Sequence, residues 1–222
     1  MPDYRWRWNS YQNPALIAAF DMSTRTPGGL MKNLVQRTGA TYDATINGAL
    51  TLANPLIKCK KTKCMDFNRA LPNWLDLVNP INGLSVYSIA FWMNWNGGFD
   101  GAPFSRAGGG SQYIYIYNIG GVVGFENGGV VIRTTGKQSV VGTRTYFIVC
   151  TRDSAGTGSI FIDGKFFVRG AIGLVADASA YIGKYGVAGS PFGGRLDNML
   201  FYNVALTPDQ INSIYRSANP RM

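Results

Sequence analysis

"GGRLDNMLFYNVALTPDQINSIYRS" occupies residues 193–217 and reads as a strand, a turn and a short helix. Thr207 stands where an N-cap belongs, Pro208 at the first helical position and Asp209 in the first turn. Ile211, Ile214 and Tyr215 follow at i, i+3 and i+4, which gives the helix one apolar face. Nearly everything upstream reads as strand and turn alone. A one-faced helix at the close of an all-β chain has a sheet to cover where the last strand leaves it. The stretch is therefore architectural, and function has to come from a site elsewhere.

Composition agrees with many strands joined by tight turns. The 222 residues suit one large β domain or two small ones, with charged residues at only 15% and glycine at 28 positions. No apolar run approaches the length of a membrane span. The opening "MPDYRWRWNSYQNP" has no apolar core of an export signal, so the expectation is synthesis in the cytoplasm without a signal peptide. Lys and Arg number 21 against 12 Asp and Glu, a formal net charge of +9. Such a balance favours anionic partners, while a merely basic soluble surface accounts for it equally well. Nucleic acid as a partner rests on this charge and nothing more.

The missing residues are as informative. There is no His, and Glu126 is the single Glu. A Ser-His-Asp triad, a His-ligated metal and a two-Glu glycosidase site are all excluded. The Asp residues fall mostly in turns, most clearly in "IDGK" at 162–165, so the chain reads as no enzyme. Cys59 and Cys64 bracket the basic "KKTK", and Cys150 closes the run "YFIVC". Cys150 is expected as a buried free thiol. The other two either close a small disulfide or stay reduced, as a reducing compartment dictates.

Along the chain, residues 1–13 form a polar, basic and aromatic arm, and residues 14–222 a single domain. "ALIAAFDM" is a first strand, followed by a long turn-rich connection through "NGA" near residue 48. "KCMDFN", "WLDLV", "LSVYSIAFWMNW", "QYIYIYNI", "VVGFENGG", "VVIRTTG", "RTYFIVCTRD", "GSIFIDGKFFVRG", "SAYIGKYG" and "GRLDNMLFYNVAL" complete roughly a dozen strands at a spacing typical of a two-sheet sandwich.

In order, "DATINGA", "CMDFN", the Trp-bearing "YSIAFWMNW", the paired strands "RTYFIVCTRDSAGTGSIFIDGKFF" and the closing "GRLDNMLFYNVALTPDQINSIY" resemble the laminin G-like, concanavalin A-like lectin/glucanase jelly rolls. The ordered set covers about residues 15–216. The resemblance implies an all-β, two-sheet antiparallel jelly roll with a short C-terminal helix. That fold hosts lectins, hydrolases and structural modules alike.

Three places are candidates for a site. Tyr113, Tyr115 and Tyr117 share one face of "YIYIY"; they either offer rings to sugars, with Trp95 at the rim, or pack as core or subunit contact. Trp92 reads as core. Asp21 and Asp197 become neighbours if the first and last strands pair, and the resemblance implies calcium near strand ends. Arg195, two positions from Asp197, is the competing partner, and no other cofactor is indicated. Arg5, Trp6, Arg7 and Trp8 alternate in the arm, putting aromatic rings on one side and guanidinium groups on the other. Those residue types anchor interfaces, and the alternative is a frayed tail. The sequence thus reads as a non-enzymatic structural or binding module, docked through its arm onto other structural proteins or its own copies. The expected setting is a virion or phage particle, as a capsid decoration, fibre or tail component, with a glycan-binding face. A free carbohydrate-binding lectin is the rival reading.

Overall fold

A computed structural model describes residues 14–22, 24–35, 42–48, 51–53, 64–68, 73–97, 100–108, 112–117, 119–134, 140, 144–174, 176–186 and 191–218. The arm 1–13, Cys59 and the lysines of "KCKKTKC" lie outside them.

The strands are β1 (Leu16–Phe20), β2 (Thr45–Asn47), β3 (Thr51–Ala53), β4 (Cys64–Phe67), β5 (Trp74–Val78), β6 (Tyr87–Trp95), β7 (Gly101–Arg106) and β8 (Gln112–Tyr117). They continue as β9 (Val122–Asn127), β10 (Val130–Arg133), β11 (Thr145–Arg152), β12 (Thr157–Ile162), β13 (Lys165–Ala171), β14 (Ser179–Ile182) and β15 (Gly194–Tyr202). One helix, α1 (Pro208–Ala218), closes the described chain. An eight-stranded sheet runs β13-β12-β11-β6-β15-β4-β3, with β1 pairing on β15, and a seven-stranded sheet runs β10-β9-β8-β7-β14-β5-β2. The strand pairs between these elements are antiparallel, as expected of a jelly-roll sandwich.

Period-2 alternation decides what each face buries. In β6, Tyr87, Ile89, Phe91, Met93 and Trp95 point into the core between the sheets, while Ala90 and Trp92 point out of the sandwich. The seven-stranded sheet answers with Leu75, Phe104, Ile114, Ile116, Phe125 and Ile182. Tyr87 anchors the centre, meeting Tyr113 and Phe125 edge to face at 6.4 and 6.2 Å. Its hydroxyl accepts a hydrogen bond from Asn127 Nδ2 at 3.1 Å, so the buried polar atom is satisfied.

The middle of the outer face of the eight-stranded sheet, over β1, β6, β11, β12 and β15, is covered by α1, as the amphipathic spacing requires. Ile211 is fully buried against a second apolar cluster that includes Trp92, Phe147 and Leu200. The Tyr215 ring stacks on Trp92 at 5.7 Å and on Phe147 at 6.0 Å. A reciprocal cap starts the helix: Gln210 N donates to Thr207 Oγ1 at 3.3 Å, and Thr207 N to Gln210 Oε1 at 2.9 Å. The 162–165 turn forms as its Asp-Gly pair demands, with Asp163 at φ 51° and Gly164 at φ 79°. Three strands differ from the sequence reading. β7, "GAPFSR", opens with Gly and contains Pro, and β2 and β3 fall within or just after the stretch taken as a turn-rich connection.

Candidate functional site

The outer face of the seven-stranded sheet, which no helix covers among the described residues, carries a row of half-open side chains. Register places Arg133 opposite Gly124 and Gly124 opposite Tyr115 on three adjacent strands. Across the sheet, Tyr181 stands opposite Ser105 on one side and Asp76 on the other, and Trp74 opposite Asn47. These outward positions form a row across β10, β9, β8, β7, β14, β5 and β2.

Aromatic rings fill it. Tyr115 and Tyr117 meet edge to face at 4.6 Å, and Tyr185 meets Tyr115 at 6.1 Å. The Tyr117 ring lies over Gly124, where an added Cβ would stand 2.7 Å from it, so glycine makes the room for that ring. At one end the Arg133 guanidinium sits 4.5 Å above Tyr117. At the other, Lys184 Nζ lies 4.3 Å from the Trp74 ring and 4.7 Å from Tyr181.

Polar contacts fix these rings. Trp74 Nε1 donates to Asp76 Oδ1 at 2.9 Å, and Asn47 Nδ2 to Asp76 Oδ2 at 2.8 Å. Buried Ser105 donates its hydroxyl to Lys184 O at 2.6 Å and accepts from Gly186 N at 3.2 Å. One side chain thereby clamps the turn that carries both Lys184 and Tyr185. Burial, then the hydrogen bond to Asp100, pushes the Tyr115 hydroxyl well above the ordinary phenol range. Burial also raises Tyr117 and Glu126, and Arg133 opposes the rise in both.

The tyrosine row of the sequence reading is corrected at Tyr113. The β7–β8 register shifts between Gly101, Phe104 and Ser105, and Tyr113 turns inward, 1% exposed. It stacks on Phe104 at 5.1 Å, and its hydroxyl accepts from Asn79 Nδ2 at 3.1 Å. Tyr115 and Tyr117 alone stay on the outer face. Trp95 is corrected likewise: it shares the inward phase of Tyr87 and Met93, is 5% exposed, and is core rather than rim. Trp92 is buried under α1.

β1 and β15 do pair, with Phe20 opposite Met199. The Asp21 carboxylate accepts from Thr24 N at 2.7 Å and Thr24 Oγ1 at 2.6 Å, and Asp197 is fully buried. Among the described residues no three His, Cys, Asp or Glu side chains gather as a metal site would need. Cys64 and Cys150 are both buried, and burial pushes the Cys150 thiol far up. Arg5, Trp6, Arg7 and Trp8 lie outside the described residues.

Trp74, Tyr181, Lys184, Tyr185 and Arg133 were missed from sequence. For Trp74 the signal was present: in "WLDLV" it alternates with Leu75 and Leu77, which marks Trp74 and Asp76 as outward.

Such a sandwich, with a helix over the centre of one outer face and an aromatic row on the other, belongs to the lectin-like jelly rolls as a class. Residues 73–212 match the profile of the concanavalin A-like lectin/glucanases superfamily, and the chain belongs to that family. No curated protein sequence matches it. Among solved structures it is similar to domain 4 of AbnA, a GH43 extracellular arabinanase from Geobacillus stearothermophilus, solved in complex with arabinotriose. There the TM-score is 0.66 at 16% identity, covering 90% of this chain and 98% of that one. The binding domain of Paraclostridial Mosquitocidal Protein 1 gives a TM-score of 0.69 at 14% identity, over 91% of this chain and 52% of the other. The binding domain of botulinum neurotoxin DC in complex with SialylT gives 0.67 at 12%, over 93% and 52%. The chain spans about half the length of these toxin domains. At such identities the likeness is one of fold. No helix among the described residues is long and apolar enough to cross a membrane.

Proposed function

We propose that this chain is a non-catalytic binding module whose outer seven-stranded face takes carbohydrate. The observation that carries the reading is the cross-strand row of half-buried rings, Trp74, Tyr181, Tyr185, Tyr115 and Tyr117, held in place by Asp76, Ser105 and Asp100. Flat apolar rings with fixed polar neighbours suit the CH faces and hydroxyls of sugars. The same fold carries ligands in its neighbours: arabinotriose in the arabinanase domain and SialylT in the neurotoxin domain. The lack of His and the single Glu support a binding role over hydrolysis. A glycan array with the purified chain tests it. Saturable binding lost in Tyr115→Ala and Trp74→Ala, with folding retained, is the expected result. Sugar turnover abolished by Glu126→Gln would replace this reading with a hydrolase.

The second part of the proposal is attachment. The alternating Arg5, Trp6, Arg7 and Trp8 support docking of the module onto a larger particle, as in a viral or phage virion. Deleting residues 1–13 is expected to leave a folded domain that still binds glycan but no longer joins its assembly. Unchanged assembly after the deletion would leave the free lectin as the better reading.

A further inference from the structure

We infer that the ligand of this face is an acidic polysaccharide lying across the strands, its anionic groups held by Arg133 at one end of the row and Lys184 at the other. The inference rests on the carbohydrate reading above and adds the ligand's charge and the direction in which it lies.

Direction follows from the sheet order. Arg133 is on β10 and Lys184 lies two residues beyond the end of β14, which is four strand intervals away. At about 4.8 Å per interval the two cations stand roughly 19 Å apart, with Tyr117, Tyr115 and Tyr185 between them. One sugar ring does not bridge that span; a chain laid perpendicular to the strands does.

Charge follows from which groups are already committed. Asp76 accepts from Trp74 and Asn47, and Asp100 from the Tyr115 hydroxyl. Both carboxylates are thus occupied in setting rings. The cations instead rest on ring faces, Arg133 on Tyr117 and Lys184 between Trp74 and Tyr181. Arg133 also gives one donor to the Tyr117 hydroxyl and lies within electrostatic reach of Glu126. Yet a ring face orients a cation without cancelling its charge, so the remaining N–H groups of Arg133 and those of Lys184 are left for an incoming anion. Among the described residues neither makes an ion pair, whereas Arg144 and Asp163, on the other sheet, pair at 2.6 Å. The Ser105 clamp fixes the Lys184 backbone before any ligand arrives, which lowers the ordering cost of binding. The net charge of +9 then speeds encounter with a polyanion.

The test sets the full chain against polygalacturonate and its carboxyl-reduced form, and against chondroitin sulfate and its desulfated form, with the glycan array run alongside. The acidic polymer of a pair is expected to bind about tenfold tighter or better at low salt, as charge-assisted hydrogen bonds imply. Lys184→Gln and Arg133→Gln should each remove about tenfold and bring the acidic polymer toward its neutral counterpart. The double variant Lys165→Gln/Arg169→Gln, on exposed positions of β13, removes two charges from the other sheet and should change affinity less than twofold. Preference within the chondroitin pair alone would assign the anion as sulfate, and within the polygalacturonate pair alone as carboxylate. Equal losses in the β13 variant would mean diffuse charge and overturn the inference. Array binding confined to neutral glycans and sensitive to Tyr115→Ala would overturn the charge assignment and keep the carbohydrate reading. No Tyr115-dependent binding to any glycan would remove both.

Discussion

Tyr113 and Tyr115 are two residues apart in one strand, and replacing each by Ala should have opposite signatures. Tyr113 is 1% exposed, stacked on Phe104 at 5.1 Å and edge-on to Tyr87 at 6.4 Å. Truncating a buried aromatic costs about 3–5 kcal/mol, and the lost ring pairs add about 0.5–1.5 kcal/mol each. The variant also orphans one hydrogen of Asn79, whose amide otherwise donates to Tyr113 and to Asp177 O. A total of about 4–8 kcal/mol consumes much of a typical domain's stability. Tyr115 is half-buried on the outer face, and its loss forfeits the edge contacts with Tyr117 and Tyr185 and one hydrogen bond, together at most about 1.5–4.5 kcal/mol. The cost falls toward the low end because water reaches the rings, with no core cavity left behind. Urea unfolding followed by tryptophan fluorescence reads both, and Tyr113→Phe isolates the hydroxyl at about 1–3 kcal/mol. If Tyr115→Ala destabilised as much as Tyr113→Ala, the assignment of the two rings to opposite faces would be wrong.

Three further outcomes are expected. Glu126 carries a carboxyl raised by burial, so the unfolded chain loses that proton first and stability falls as pH rises through the window above the ordinary carboxyl value of 4.5. Glu126→Gln should therefore melt higher than the parent at pH 7, with the gap closing by pH 4; a gap independent of pH would contradict the burial assignment. Ile211→Ala, beneath α1, should cost about 2–4 kcal/mol and Thr207→Ala about 1 kcal/mol by thermal melting, whereas equal costs would mean that capping rather than packing holds the helix. Gly183→Ala combines φ 84° with a Cβ that runs into the Phe67 ring and should cost about 3 kcal/mol or more; a neutral result would show that the turn can relax.

The closing segment was legible because several local signals agreed: Thr207, Pro208, Asp209 and the Ile211, Ile214, Tyr215 spacing all point to one capped amphipathic helix. The long alternating strands β6, β11 and β15 were legible for the same reason. β7 was not, since Gly and Pro in "GAPFSR" argue against a strand and only its neighbours β8 and β14 enforce one. The site was half visible. Alternation finds Tyr115 and Tyr117, but the register shift that turns Tyr113 inward depends on the partner strand and leaves no mark in "YIYIY". Trp95 misled because its exit from β6 into "NGG" resembles a rim, while its phase is that of the core. The meeting of Lys184 with Trp74, 110 positions apart, is a fact of sheet order alone.

Covering the centre of one sheet with α1 gives the molecule a back and a front. The helix and the Tyr215 stack occupy the back, so a support that holds the domain from that side leaves the front unobstructed. Copies mounted this way behave as tiles facing one direction. A second copy then meets the same polymer at an effective concentration set by tile spacing, and avidity rises by about 10²–10⁴ without any change in the single site. If the proposed polymer binding and mounting hold, a weak individual contact is enough for a surface built like that.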